Sequence, residues 1–105
     1  MEERVYECEG KDHGKLKALL ERESLADVSF ARQGYKLKEG RAVGGEPGKY
    51  YLYISAEPSF FKWAEEKLKE VPSAKRAPKE AEEKIIAEIR KEEEAAESGF
   101  GAIFG

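Results

Sequence analysis

The chain has one cysteine and one histidine, and they fall close together. Cys8, Glu9, Asp12 and His13 lie within ECEGKDH, and thiolate, imidazole and carboxylate are the usual ligands of zinc. A closed zinc site takes four ligands, so this pair would need carboxylates or a second chain to complete it. The same two residues could make a thiol nucleophile and its base, but no orienting third group and no oxyanion donors can be named. A half-buried strand cysteine and an exposed histidine at a helix start account for both. GGEPGKY, residues 44–50, raises phosphate binding. A P-loop requires G-x-x-x-x-G-K-[ST] opening a helix, so that backbone N–H groups and the helix dipole meet the phosphates. Here Gly44 to Gly48 is one residue short, Tyr50 stands in place of the hydroxyl, and a strand pattern follows. No catalytic residue, metal site or cofactor is expected, and the chain is read as non-enzymatic.

Two other groups carry a stronger signal. In KYYLYISA, residues 49–56, strict alternation puts Tyr50, Leu52 and Ile54 on one face of a strand and Tyr51, Tyr53 and Ser55 on the other. Lys49, Tyr51, Tyr53 and Ile54 resemble the third-strand motif of RNA-recognition-motif domains, whose paired aromatics stack bases, whereas Tyr50, Leu52 and Ala56 depart from it. That resemblance implies a single-stranded RNA binder using Tyr51 and Tyr53 with the loop bases Arg41 and Lys49. It also requires Tyr6 on the same open face, which turns Glu7 inward. The competing arrangement lays the apolar side of a following helix over these tyrosines.

The second group is the C-terminal ESGFGAIFG, where Phe100, Ile103 and Phe104 stand among glycines in an otherwise highly charged chain. Burying those three side chains is worth about 1.5–3 kcal/mol each. Ordering their seven or eight backbones costs about 1–2 kcal/mol per residue. Packing alone therefore roughly breaks even, and backbone pairing with a sheet edge would tip the balance. The segment is expected to be loose in a lone chain and to order against a twin subunit or another protein. Phe100, Ile103, Phe104, Tyr51 and Tyr53 are the expected partner-binding residues.

The elements that must position these residues follow from period and punctuation. Residues 4–9 alternate as a strand, and Asp12 is placed to cap a helix whose buried stripe is Leu16, Leu19 and Leu20. From Asp27 the period returns to two, and a strand is expected through Val28 and Phe30, bent at Gly34 and continued by Tyr35 and Leu37. Residues 39–49 hold four glycines and a proline and read as the loop of a hairpin into residues 49–56. Pro58 and Ser59 open a second helix with Phe60, Ala64, Leu68 and Val71 on its apolar side. SAKRA, residues 73–77, is either coil or a fourth, edge strand guarded by its basic residues. Pro78 suits the first turn of a third helix, with Ala81, Ile85, Ile86 and Ile89 apolar, ending near Ser98.

The expected class is α+β, a ferredoxin-like split βαβ: βαββα closed by that fourth strand, an antiparallel sheet with two helices on one face, plus a long C-terminal helix. The units expected are a domain over 1–78, an acidic helix over 79–98 and a Gly/Phe tail over 99–105. At 105 residues the chain is one domain. One cysteine excludes an internal disulfide, MEERVYE lacks the apolar core of a signal peptide, and no apolar run approaches a membrane span, so a cytoplasmic protein is expected. The sequence has no Asn and no Thr but 19 Lys and Arg and 22 Asp and Glu, a pattern expected of a thermophile and here read as archaeal. Residues 80–105 carry 8 acidic and 3 basic side chains, which argues against nucleic-acid binding by charge alone. The expectation for function is a small protein-binding module, self-associating through its tail and sheet as a homodimer.

Overall fold

The computed structural model describes the backbone of residues 1–22 and 26–104 and the side chains of 1–22 and 26–95. It is a mixed α+β arrangement around a four-stranded antiparallel sheet. Strand β1 (Glu2–Glu9) leads through a 3-10 turn at Gly10–Asp12 into α1 (His13–Glu21). The chain continues through α2 (Phe30–Gln33), β2 (Lys36–Glu39), α3 (Gly40–Val43) and β3 (Lys49–Ala56). It closes with α4 (Pro58–Leu68), β4 (Lys75–Arg76) and α5 (Lys79–Phe104). The sheet order is β2-β3-β1-β4. Strands β1 and β3 pair along their whole length, from Glu2 opposite Ala56 to Glu9 opposite Lys49. β4 is a two-residue edge strand against Tyr6 and Glu7, so residues 73–77 do provide the fourth strand.

The alternation of β1 and β3 divides the molecule into two apolar layers. Tyr6, Cys8, Leu52, Ile54 and Ala56 pack with Leu16, Leu19 and Leu20 of α1 and with Phe61, Ala64 and Leu68 of α4. Val5 and Tyr51 face the other way and pack with Val43, Ala77 and α5, whose Ile85 and Ile89 are buried. Helices therefore cover both faces of the sheet, and α5 provides the second layer.

Five local expectations are corrected. The strand expected over residues 27–33 is instead the helical turn α2, because the Ser29 hydroxyl accepts the Arg32 N–H (3.2 Å) and caps it. Gly34, at φ 88°, then turns the chain out of that helix. The loop expected over 39–49 contains α3, which sends Val43 fully into the second layer. Asp12 does not cap α1; its carboxylate accepts the Ser73 hydroxyl instead. In α4 it is Phe61, not Phe60, that is fully buried. The third helix does not end near Ser98, since the α5 backbone is helical through Phe104. The side chains of Phe100, Ile103 and Phe104 lie outside the described residues.

Candidate functional site

Of the two arrangements weighed for the tyrosine face, open for stacking or covered by the third helix, the structure has the covered one. Tyr51 is 2% exposed beneath α5. Its ring also lies against the loop: a Cβ at Gly45 would fall 2.3 Å from the ring, and the Glu46 N–H donates to the Tyr51 hydroxyl at 3.0 Å. That contact explains Gly45, since only a residue without a side chain fits over the ring, while Gly44 takes the left-handed φ of 74° that ends α3. Tyr53 is half-buried and donates to Glu3 at 2.6 Å. Burial and this bond push its hydroxyl up to about 12. Tyr6 points to the opposite layer and donates to Glu65 at 2.7 Å. Base stacking needs a bare ring face, and Tyr51 offers none in this arrangement. Of the two loop bases, Arg41 is exposed on α3, whereas Lys49 is paired with Glu46 (3.1 Å) and Glu7 (3.4 Å).

Cys8, Glu9, Asp12 and His13 surround the end of β1. A cleft of about 230 Å³ lies there, lined by Glu7, Cys8, Glu9, Lys49 and residues 72–75. Glu7 is buried in its wall between Lys49 (3.4 Å) and Lys75 (3.5 Å). The Ser73 hydroxyl accepts from the Glu9 N–H (3.0 Å) and donates to Asp12 (2.6 Å), tying the end of β1 to the start of α1. That bond holds the Asp12 carboxyl below its ordinary range. Cys8 is 1% exposed, 3.7 Å from Ser73, and burial pushes its thiol up, the wrong direction for a nucleophile. His13 stacks on Tyr50 with ring centres 3.9 Å apart. Glu7, Asp12 and Ser73 are thus each engaged in bonds within the fold. Among the described residues, no three His, Cys, Asp or Glu side chains are grouped to hold a metal ion.

A different surface emerges between α2 and α4, and the sequence reading missed it. A groove of about 540 Å³ runs along Val28, Phe60 and Trp63, with Asp27, Arg32 and Glu57 on its rim. Val28 is 49% exposed, which is unusual for a large aliphatic in this chain. Beneath it Phe30, Phe60 and Trp63 form an aromatic cluster with ring centres 5.1 to 5.9 Å apart. Groove and cluster continue into a small hollow lined by Leu19, Arg22, Val28, Phe30, Trp63 and Lys67. Lys67 lies over the Trp63 ring at 5.9 Å, and Arg22 reaches Glu70 at 2.9 Å. An exposed aliphatic beside aromatic rings is a composition found at docking surfaces. The sequence signal is Val28-x-Phe30 with Phe60 and Trp63; periodicity puts Val28 and Phe30 on one face of an expected strand and Trp63 beside the Phe60 stripe of the second helix, and does not bring the two together.

No family model, curated protein or solved structure matches this chain.

Proposed function

We propose that this chain is a small, non-enzymatic protein-binding module that self-associates through its C-terminal segment, carrying Phe100, Ile103 and Phe104. The observation that carries the reading is the course of α5. Among the described side chains, which reach Ala95, the last buried one is Ile89 and the last pairs with the sheet edge are Glu92–Lys38 and Glu93–Lys36, while the backbone helix runs on to Phe104. The sequence of its last turns carries Phe100, Ile103 and Phe104, apolar groups that a partner would bury. The closed state of both sheet faces strengthens the reading, because Tyr51 is occupied in holding α5. Sedimentation of the full chain and of a chain ending at Ser98 tests it. The full chain should associate with rising concentration, the shortened chain should not, and both should melt alike. Equal association, or a shortened chain that melts far lower, overturns it.

The scaffold is read as ferredoxin-like. A β-α-β-β-α-β sequence of major elements, with β3 inserted between β1 and β2, supports that reading. A thermophilic, archaeal source and a cytoplasmic location remain part of the proposal. Cross-element pairs such as Arg76–Glu82 and Lys36–Glu93 support the first. No helix among the described residues is long and apolar enough to cross a membrane.

A further inference from the structure

We infer that the groove between α2 and α4 receives the C-terminal helix end of a second copy of this chain. The inference rests on the proposed self-association and specifies where the segment docks. A backbone that is helical through Phe104 uses its N–H and C=O groups internally, so it has none to add as a strand to a sheet edge. Such a segment binds by laying apolar residues into a groove at i, i+3 and i+4 spacing, which is the spacing of residues 100, 103 and 104. The groove presents Val28, Phe60 and Trp63 among polar lining residues, and Val28 is half exposed.

Charge and topology choose the occupant. The hollow at the Leu19 end of the groove is lined by Lys67, which lies over Trp63, and by Arg22, which is paired with Glu70. Arg32 on the rim has no carboxylate partner among the described residues, although Asp27 and Glu57 share that rim. The segment preceding Phe100 is acidic, with Glu92, Glu93, Glu94 and Glu97 in six residues. Within one chain, α5 lies on the Val5 and Tyr51 face of the sheet, while α4 lies on the Leu52 and Ile54 face. The described part of α5 packs on one face of the sheet and the groove lies beside a helix of the other, which favours another copy as the occupant. If each copy both gives and receives, two copies close into a dimer; if the rotation does not close, the same contact makes longer chains.

The test uses the full chain with one exposed substitution at a time. Val28→Asp places a negative charge in the groove, and Phe104→Ser removes an anchor from the helix end. Arg32→Glu provides a second groove variant at an exposed position. Sedimentation equilibrium gives the assembly state. Emission from Trp63, the one tryptophan, reports occupancy of the groove directly. Each variant should weaken self-association about ten- to hundredfold and abolish the concentration-dependent change in Trp63 emission. An equimolar mixture of Val28→Asp and Phe104→Ser should recover a one-to-one complex, because one copy keeps its helix end and the other keeps its groove. If both groove variants associate like the unaltered chain while Phe104→Ser does not, the segment docks elsewhere: this inference fails and the proposed function stands. Failure of the mixture to recover the complex also overturns the inference. An unaltered chain that stays monomeric at every concentration overturns both.

Discussion

Replacing Glu82 with alanine should cost this fold more than any other single surface-proximal charge. Glu82 sits in the first turn of α5, where the helix dipole favours a carboxylate. One of its oxygens accepts the Val5 N–H at 2.9 Å, in the middle of β1. Arg76 of β4 donates to both of its oxygens, at 2.5 and 2.8 Å. One side chain thus joins the start of α5, the edge strand and the central strand. Alanine leaves a buried backbone N–H without an acceptor, worth about 1–3 kcal/mol. It also strands Arg76, but that guanidinium is 44% exposed and can rehydrate, so the cost stays below the 3–5 kcal/mol typical of a broken buried pair. The expected loss is about 2–3 kcal/mol, a fall of roughly 10–20 °C in Tm. Glu82→Gln keeps an oxygen for Val5 and loses only the charge, so it should cost about half as much. Thermal and urea unfolding of both variants measure the difference. A Glu82→Ala chain within about 0.5 kcal/mol of the unaltered one, the range of an ordinary surface change, would refute the reasoning. Equal losses in the two variants would assign the effect to charge and not to the backbone N–H.

Acid should unfold the chain through the same group and two others. Burial alone would raise Glu3 and Glu82, but bonds from Tyr53 and Arg90 to the first, and from Arg76 and Val5 to the second, hold both below their ordinary value; the Ser73 hydroxyl holds Asp12 low. Groups depressed in the folded state give their full stabilisation above the ordinary carboxylate range, near pH 4, and lose it as the pH falls through their lower folded values. A Tm that is flat from pH 7 down to about 5 and then drops is expected, with a shallower drop in Glu82→Gln; no drop down to pH 2 would contradict it. Gly40→Ala should destabilise strongly, since its Cβ would lie 2.0 Å from the Glu46 carbonyl oxygen, a backbone atom that cannot swing aside; an unchanged urea midpoint would show that the loop yields. Cys8 should react with iodoacetamide far more slowly than free cysteine in the folded chain and at the free rate in urea, because its thiol is buried and its acidity weakened.

What could be read from the sequence was what repeats. β1 and β3 alternate over enough residues for one apolar face to stand out, and β3 begins and ends where the pattern does, at Lys49 and Ala56. The stripe of α1 and the Pro58 start of α4 were equally plain. α2 and α3 were not, because four residues are too few to display a helical period. Each is set by single atoms: the Ser29 hydroxyl in one, and in the other the burial of Val43 and the left-handed Gly44. Phe60 and Phe61 fit the same helical stripe one residue apart, and only the crowding of Trp63 and Phe30 around Phe60 decides which of them goes to the interior. The groove was hidden for a different reason. Val28 and Trp63 are brought together by the fold across a long stretch of chain, and no local pattern records that.

The covering of the second sheet face by α5 bears on how the chain is made. Val5 emerges well before Ile85 and Ile89, the isoleucines that cover it. During synthesis from the N-terminus, Val5, Tyr51 and Val43 can assemble a wet apolar face long before Ile85 and Ile89 arrive. β4, whose Arg76 pairs opposite Tyr6, also joins late, so completion waits on contacts of large sequence separation, the kind that slows folding. A chain released before Ile85 would present a nearly finished sheet with one side bare. Such a fragment would be a template for aggregation rather than a smaller domain, and a cell making this protein would have reason to destroy it.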